Sequence, residues 1–559
     1  MDNTLKDLAQ EYWDLILEQS PTTATLLGDH RFDDRIEDLS QERETWFIGR
    51  LSSIIERAEA IDPAPLGRTD RVTQRMLLFE AGKHRELSEL GIVELHSDQM
   101  LGPHATIMTA LAAMNFPQSE QALAAVERFR HFDLLLETAS GRFQAGLAKG
   151  RSPARLTVER SLHIIDKYLG TPIDADPIVN LSGPENWEGE AAWRDDLRHA
   201  VEAVVRPAFV RYRDLFQHIL APAARADDRA GLVWLEDGES IYRTLARTYT
   251  TTESSPDEIH DVGRDIIERQ LPAEYAKVGE RALGISDTHD LVAALRSDPA
   301  LRFSEADEIV DVARRALTRA TASMDEWFGR LPKAGCELQV VPEFLAADAP
   351  RAYYYPPTTD GSRGGIHFVN TREPQQQARY DEESVAFHES IPGHHLQIAI
   401  SQELEDIPLF QQNALVTAYV EGWGLYAERL ADEMGLYTSD LDRLGMLSAD
   451  AWRAGRLVVD TGIHSKGWSR RQAIDYLLAN TANAPDDIMV EVDRYVAMPG
   501  QALGYKIGQL EISRLRKEAE QRLGNRFEVK AFHDVVLTSG AVTLDVLGEL
   551  VEEWVSASR

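Results

Sequence analysis

The stretch "FHESIPGHHLQIA" at residues 387–399 gathers His388, Glu389, His394 and His395 into eight positions. Imidazoles and carboxylates are zinc ligands. A helix that reads H-E-x-x-H holds one ion with two histidines a single turn apart, and its glutamate serves as base. Here Pro392 stands where the second histidine belongs. On an unbroken helix His388 and His395 would share a face but lie about 10 Å apart along the axis. That is too far for one ion whose bonds to nitrogen are about 2.0–2.1 Å. His388 and His394 would point to different sides. Pro392, however, has no N–H to give to the carbonyl of His388 and crowds that turn, and Gly393 opens backbone angles closed to other residues. The sequence therefore predicts a break. Two extra residues are looped out, and His394 or His395 returns to the place that i+4 takes in a regular zinc helix. Glu389, about 100° round from His388, would lean toward a metal-held water.

The third ligand is expected on "NALVTAYVEGWGLYAERLADEMG" (413–435), a helical pattern with Glu421 among Tyr419, Val420 and Trp423. A carboxylate in such company is costly unless it is paired or bound to a cation. Glu428, two turns further along the same face, is the alternative ligand or the partner that orients one. Zinc with three protein ligands keeps a position open for water and lowers its pKa to about 7. Glu389 would take that proton, and the hydroxide would attack an amide carbonyl. Around this centre, Arg494 in "EVDRYVAMPG" would grip a substrate carboxylate. His464 in "DTGIHSKGW" would donate to the oxyanion, and Tyr354 and Tyr355 would line the cleft.

The elements that must position these residues are mostly helices. Residues 121–143, 188–220 and 305–331 repeat apolar residues at helical spacing. Ser255-Pro256-Asp257-Glu258 is a capping box with proline at the first helical position, and Ser469 with Gln472 is another. Residues 336–370 differ, with β-branched and aromatic clusters between Pro, Gly and Asp. They predict three short strands near 337–341, 351–355 and 365–369, the last two joined by "PPTTDGSRGG". Helices resume at about 381, with breaks at Pro392-Gly393, Pro408, Pro485 and Pro499-Gly500. The expected fold is mainly α, a two-lobed helical bundle around a cleft with a small antiparallel sheet beside the metal-site helix. The chain is expected to form one catalytic unit, with an N-terminal lobe over 1–230 and a metal-site lobe over 231–559.

The 559 residues include 59 basic and 92 acidic ones, a formal charge of −33. That charge repels phosphate backbones and anionic lipid heads, so neither nucleic acid nor a membrane surface is an expected partner. No apolar run reaches the length of a transmembrane helix, and the amphipathic N-terminus lacks the pattern of a signal peptide. A single cysteine, Cys336, suits a reducing compartment, with cytoplasm as the expectation. No phosphate-cradling loop or serine-hydrolase elbow occurs.

"HESIPGHHLQ", "AYVEGWGLYAERL" and "RYVAMPGQALGYKIG", with the N-terminal "EYWDLILEQSPTTATLLG", resemble the bacterial domain-of-unknown-function family 885, and the likeness runs over nearly the whole chain. A more distant likeness is to the zinc oligopeptidases related to thimet oligopeptidase. Gly393-His394 is similar to the Gly-His of their H-E-F-G-H helix, and Tyr419-Val420-Glu421 to their Phe-Val-Glu. This resemblance implies His388, His394 and Glu421 as zinc ligands, Glu389 as general base, and His395 behind the ligands. It implies that "GGIHFVN" (364–370), with Gly365 and Ile366, is the edge strand that holds a peptide, and that Tyr505 donates to the oxyanion. The departure is that four residues, not two, separate Glu389 from the second histidine. The expected function is zinc-dependent hydrolysis of small peptides. A zinc amidase for a non-peptide amide and a helical binding protein without catalysis are the alternatives.

Overall fold

Helix starts follow the local chemistry. The N–H of Ser255 donates to Glu258 Oε2 at 2.8 Å and its Oγ accepts from the N–H of Glu258 at 3.3 Å, opening the helix Pro256–Asp265. Ser469 and Gln472 open Arg470–Asn480 in the same way. The computed structural model describes residues 2–343, 346, 349–358 and 363–558, and 69% of it is helix against 4% strand. The 121–143 run is two helices, Ser119–Arg130 and Asp133–Ala148. The 305–331 run is Ala306–Trp327. Among the described residues no helix is long and apolar enough to cross a membrane.

Apolar faces close into two principal cores. The largest joins the first helices, Leu5 to Ala81, to residues 266–555. A second lies almost wholly within residues 107–220. The N-terminal helices thus pack with the part of the chain that carries the candidate site.

The three strands stand close to where the punctuation puts them: β1 Cys336–Val340, β2 Ala352–Tyr355 and β3 Gly365–Val369. Residues 359–362 of the predicted turn between β2 and β3 lie outside the described residues. The sheet is mixed rather than antiparallel. Its order is β1-β3-β2, with β1 parallel and β2 antiparallel to β3. Turn residues announce the hairpin of β2 and β3. The β1 pairing leaves no such mark, because parallel neighbours are joined by a long crossover, here the chain from 341 to 364. The expected edge strand is therefore corrected. Gly365 and Ile366 lie in the central strand, hydrogen-bonded on both sides, and β2 is an edge. Leu338 and Val369 pack on Phe303, Ile309 and Ala313.

Two helices cross at backbone contact behind the site, Thr417–Glu433 and Leu503–Leu523. A Cβ on Gly508 would lie 1.7 Å from the carbonyl oxygen of Ala418, and one on Gly422 would lie 2.6 Å from the Cα of Gly508. Only glycine permits this approach, which brings Tyr505 beside the helix of Glu421. Gly508→Ala is therefore expected to destabilise the protein by about 3 kcal/mol, the upper range for overpacking. Gly141 sits in a helix with nothing within 4 Å of its Cβ position, so Gly141→Ala should stabilise by about 0.5–1 kcal/mol. Melting of the two variants beside the parent protein checks both signs.

Candidate metal centre

The helix Glu382–Glu389 stops where the sequence says it must, and a second, His394–Gln402, begins after four intervening residues. Between them Ser390 to Gly393 form a tight bend, with a cis Ile391–Pro392 peptide. The N–H of His395 donates to the carbonyl of Ser390 at 3.0 Å. Trp423 Nε1 donates to the carbonyl of Pro392 at 2.9 Å, tying the bend to the Thr417–Glu433 helix. Gly393 is pressed against the preceding helix end. A Cβ there would lie 1.9 Å from the carbonyl oxygen of His388 and 2.4 Å from that of Phe387.

The bend turns His394 back onto His388. Their rings stand nearly perpendicular, at 84°, with centroids 4.6 Å apart. His388 Nε2 and His394 Nε2 each lie 3.5 Å from Glu421 Oε2. One ligand atom from each of the three residues falls within 4.8 Å of the others. Bonds of about 2.0–2.1 Å in a tetrahedron place ligand atoms about 3.4 Å apart, so the two measured spacings fit a zinc-sized ion. Burial works against charge on His388, but the carboxylates of Glu421 and Glu428 overrule it and lift the imidazole to about 9. Burial likewise opposes ionisation of Glu421, yet the two histidines hold its carboxyl well below the ordinary range. Among the described residues, the other grouping with ligand spacing is Asp287, His289 and Asp290, fully exposed on the surface.

The sequence pattern of the bacterial proteins of unknown function DUF885 matches residues 21–551. This chain belongs to DUF885. No curated protein matches it. Among solved structures, the putative lipoprotein from Colwellia psychrerythraea is similar over 100% of both chains, with a TM-score of 0.91 and 28% identity. A putative lipoprotein of unknown function from Shewanella oneidensis is similar over 98% of this chain and 99% of that one. Its TM-score is 0.77 at 16% identity, a likeness of fold alone.

In this DUF885 chain Glu428 holds the imidazole of His388 and stands outside the group formed by His388, His394 and Glu421. His388 Nδ1–H donates to Glu428 Oε1 at 2.8 Å, which leaves Nε2 facing Glu421. Ser384 Oγ donates to Glu428 Oε2 at 2.7 Å, and Arg453 stands 3.6 Å from Oε1. The face of His388 rests on Gly424, where a Cβ would meet its Cε1 at 2.7 Å. The Glu389 carboxylate makes no hydrogen bond to another described residue, and burial raises its carboxyl. His395 turns away from the cluster. Its Nδ1 accepts from the Tyr354 hydroxyl at 2.9 Å and its Nε2–H donates to the carbonyl of Ala334 at 3.0 Å. Gly365 makes room for that pair, since a Cβ there would lie 2.5 Å from each of them.

Tyr505 lies within electrostatic reach of the cluster. Burial raises its hydroxyl and the Glu421 charge adds to this, against Arg456 and Arg494. The Arg456 guanidinium is 4.4 Å from the centroid of the Tyr505 ring and 5.4 Å from that of Trp452. Arg494 is occupied. Its Nε and Nη2 donate to the two oxygens of Glu491 at 3.0 and 2.9 Å, and its Nη1 to Gln501 at 2.6 Å. His464 is held by the backbone on both sides. Its Nδ1 accepts from the N–H of Leu232 at 3.1 Å and its Nε2–H donates to the carbonyl of Tyr495 at 2.9 Å. The structure thus brings together His388, His394, Glu421, Glu389, Glu428 and Tyr505, and holds His464 in structural contacts. Ser384, Arg453 and Arg456 went unread in the sequence. Ser384 is visible in hindsight as the residue one turn before His388 on the same face, whereas the arginines carry no local signal.

Because the oxygens facing Gly393 belong to backbone, they cannot swing aside. Gly393→Ala should therefore destabilise by about 3 kcal/mol or more, whereas Gly335→Ala, with nothing within 4 Å of its Cβ position, should leave melting close to that of the parent.

Proposed function

We propose that this protein is a zinc-dependent hydrolase, a metallopeptidase that cleaves amide bonds of small peptides. The observation that carries the reading is the convergence of His388 Nε2, His394 Nε2 and Glu421 Oε2, with both histidines 3.5 Å from the carboxylate. His388, His394 and Glu421 would hold the ion, and the likeness to the thimet-oligopeptidase group gives the same set. When bound, zinc supplies Lewis acidity to water and to a carbonyl oxygen.

The chain's own residues do the rest. Glu428 fixes the tautomer and angle of His388. Glu389, free of protein partners beside the ligands, accepts a proton from the attacking water and passes it to the departing amine. The Tyr505 hydroxyl donates to the oxyanion, a contribution worth about 10²–10³ in rate for such a donor. The peptide is proposed to lie along the outer edge of β2, in place of the expected edge at 364–370. Tyr354 of β2 reaches His395, the neighbour of His394, and an extended backbone added there would gain strand hydrogen bonds. This reading keeps the zincin-like, two-lobed cleft as its frame. The lone Cys336 supports a reducing, cytoplasmic setting, although the similar solved proteins are named putative lipoproteins.

Two outcomes follow. Purified protein should carry about one zinc per chain by elemental analysis. His388→Ala and Glu421→Ala should each abolish it, and Glu428→Gln should weaken affinity by about 10–100-fold; full peptidase activity in metal-free protein would end the proposal. Glu389→Gln should keep its metal yet lose turnover of a peptide library by at least about 10², read by mass spectrometry, and an active variant would remove the assigned base.

A further inference from the structure

Away from the histidine cluster, a cavity of about 200 Å³ lies among the 87–101 segment, the helix Gly238–Thr250 and the loop Met498–Pro499. Its walls are largely apolar, with Leu95, Leu245, Val496 and Met498 among them. Neither His388, Glu389, His394 nor Glu421 lines it. Two opposite charges do, Asp98 and Arg225. Asp98 is only 3% exposed. Its Oδ1 accepts the N–H groups of Met100 and Leu101 at 2.7 Å, but its Oδ2 is buried without a hydrogen-bond partner among the described residues. Arg225 donates from Nε to the carbonyl of Arg229 and from Nη2 to that of Ala230, both at 3.0 Å, while its Nη1 is buried without a hydrogen-bond partner among the described residues. Among the described residues the two form no ion pair with each other.

A buried charge with an empty hydrogen-bonding position is costly. Here one such group of each sign borders a single apolar space. That combination matches a molecule with an ammonium, a carboxylate and an apolar body. An apolar cavity of about 150 Å³ already accommodates benzene, so the volume suits an aliphatic side chain. We propose that this cavity is a binding site for a free α-amino acid with an apolar side chain, its ammonium on Asp98 Oδ2 and its carboxylate on Arg225 Nη1. Burial without a counter-charge pushes the Asp98 carboxyl up to about 6 and the Arg225 guanidinium down to about 10. The inference does not depend on the zinc reading.

The test is calorimetric titration of the full chain with L-leucine, with chelator present so that no metal-site binding contributes. Saturable binding of one leucine per chain is expected, equally in His388→Ala. Asp98→Asn keeps the Oδ1 that caps Met100 and Leu101 and removes the charge, so it should weaken leucine by about tenfold or more. In the parent protein 4-methylpentanoate, which lacks the ammonium, should bind more weakly than leucine and be indifferent to Asp98→Asn. Arg225→Lys, which keeps a cation but loses Nη1, should also weaken leucine and serves if the first variant does not fold. Absence of saturable leucine binding up to about 10 mM, binding unchanged in both variants, or binding lost in His388→Ala would overturn the assignment.

Discussion

The contact between Gly393 and the carbonyl of His388 governs the rest of the site. A helix carries its side chains outward at fixed angles, and no regular helix can aim residues 388 and 394 at one point. The chain escapes that constraint by ending one helix at Glu389 and starting another at His394. The two helix ends are so close that a methyl group between them would sit 1.9 Å from an oxygen. Trp423 then pins the bend to the neighbouring helix through the Pro392 carbonyl. The same helix supplies Glu421 two residues earlier, so one element sets both the bend and the carboxylate that faces it.

Glycine serves a second time at the crossing of Gly422 with Gly508. A helix carrying Glu421 and a helix carrying Tyr505 meet there backbone to backbone. Gly424 completes the pattern by leaving a flat place for the His388 ring. Within "VEGWGLYAE" the alternation of small and large residues is thus spatial. Glu421 faces the histidines, Gly422 faces the Tyr505 helix, Trp423 reaches the bend, and Gly424 receives the imidazole.

What the sequence made legible follows the range of each interaction. The bend was readable because proline and glycine act on their own backbone. The capping boxes and the three strands were readable for the same reason. The sheet order was not, since a parallel crossover leaves no turn signature, and Gly365, placed at an edge by the likeness to the zinc oligopeptidases, lies in the centre. The choice between His394 and His395 was left open by spacing alone. It rests on whether Tyr354 and the Ala334 carbonyl, far away in sequence, claim one of the two rings, and they claim His395. Arg494 is occupied by Glu491, three residues before it on the same helix and so legible as an i,i+3 partner, and by Gln501, which the local pattern does not announce. His464 looked available because its backbone partners belong to other elements.

Charge gives the cluster a direction of its own. Glu389, Glu421 and Glu428 crowd around His388, and the Arg453 guanidinium works against the charge of Glu389 and Glu428. Three carboxylates around one imidazole leave an excess of negative charge in a site that burial already penalises. That excess favours a proton on the imidazole, and Glu421 and Glu428 lift His388 to about 9 against its burial. A divalent ion on the two Nε2 atoms and Glu421 would cancel the excess directly and displace that proton, while the hydrogen bond from Nδ1–H to Glu428 stays intact. Ser384 supports this division of labour. Its hydroxyl saturates the second oxygen of Glu428, so Glu428 holds the imidazole and Glu421 is left to face the space between the two rings.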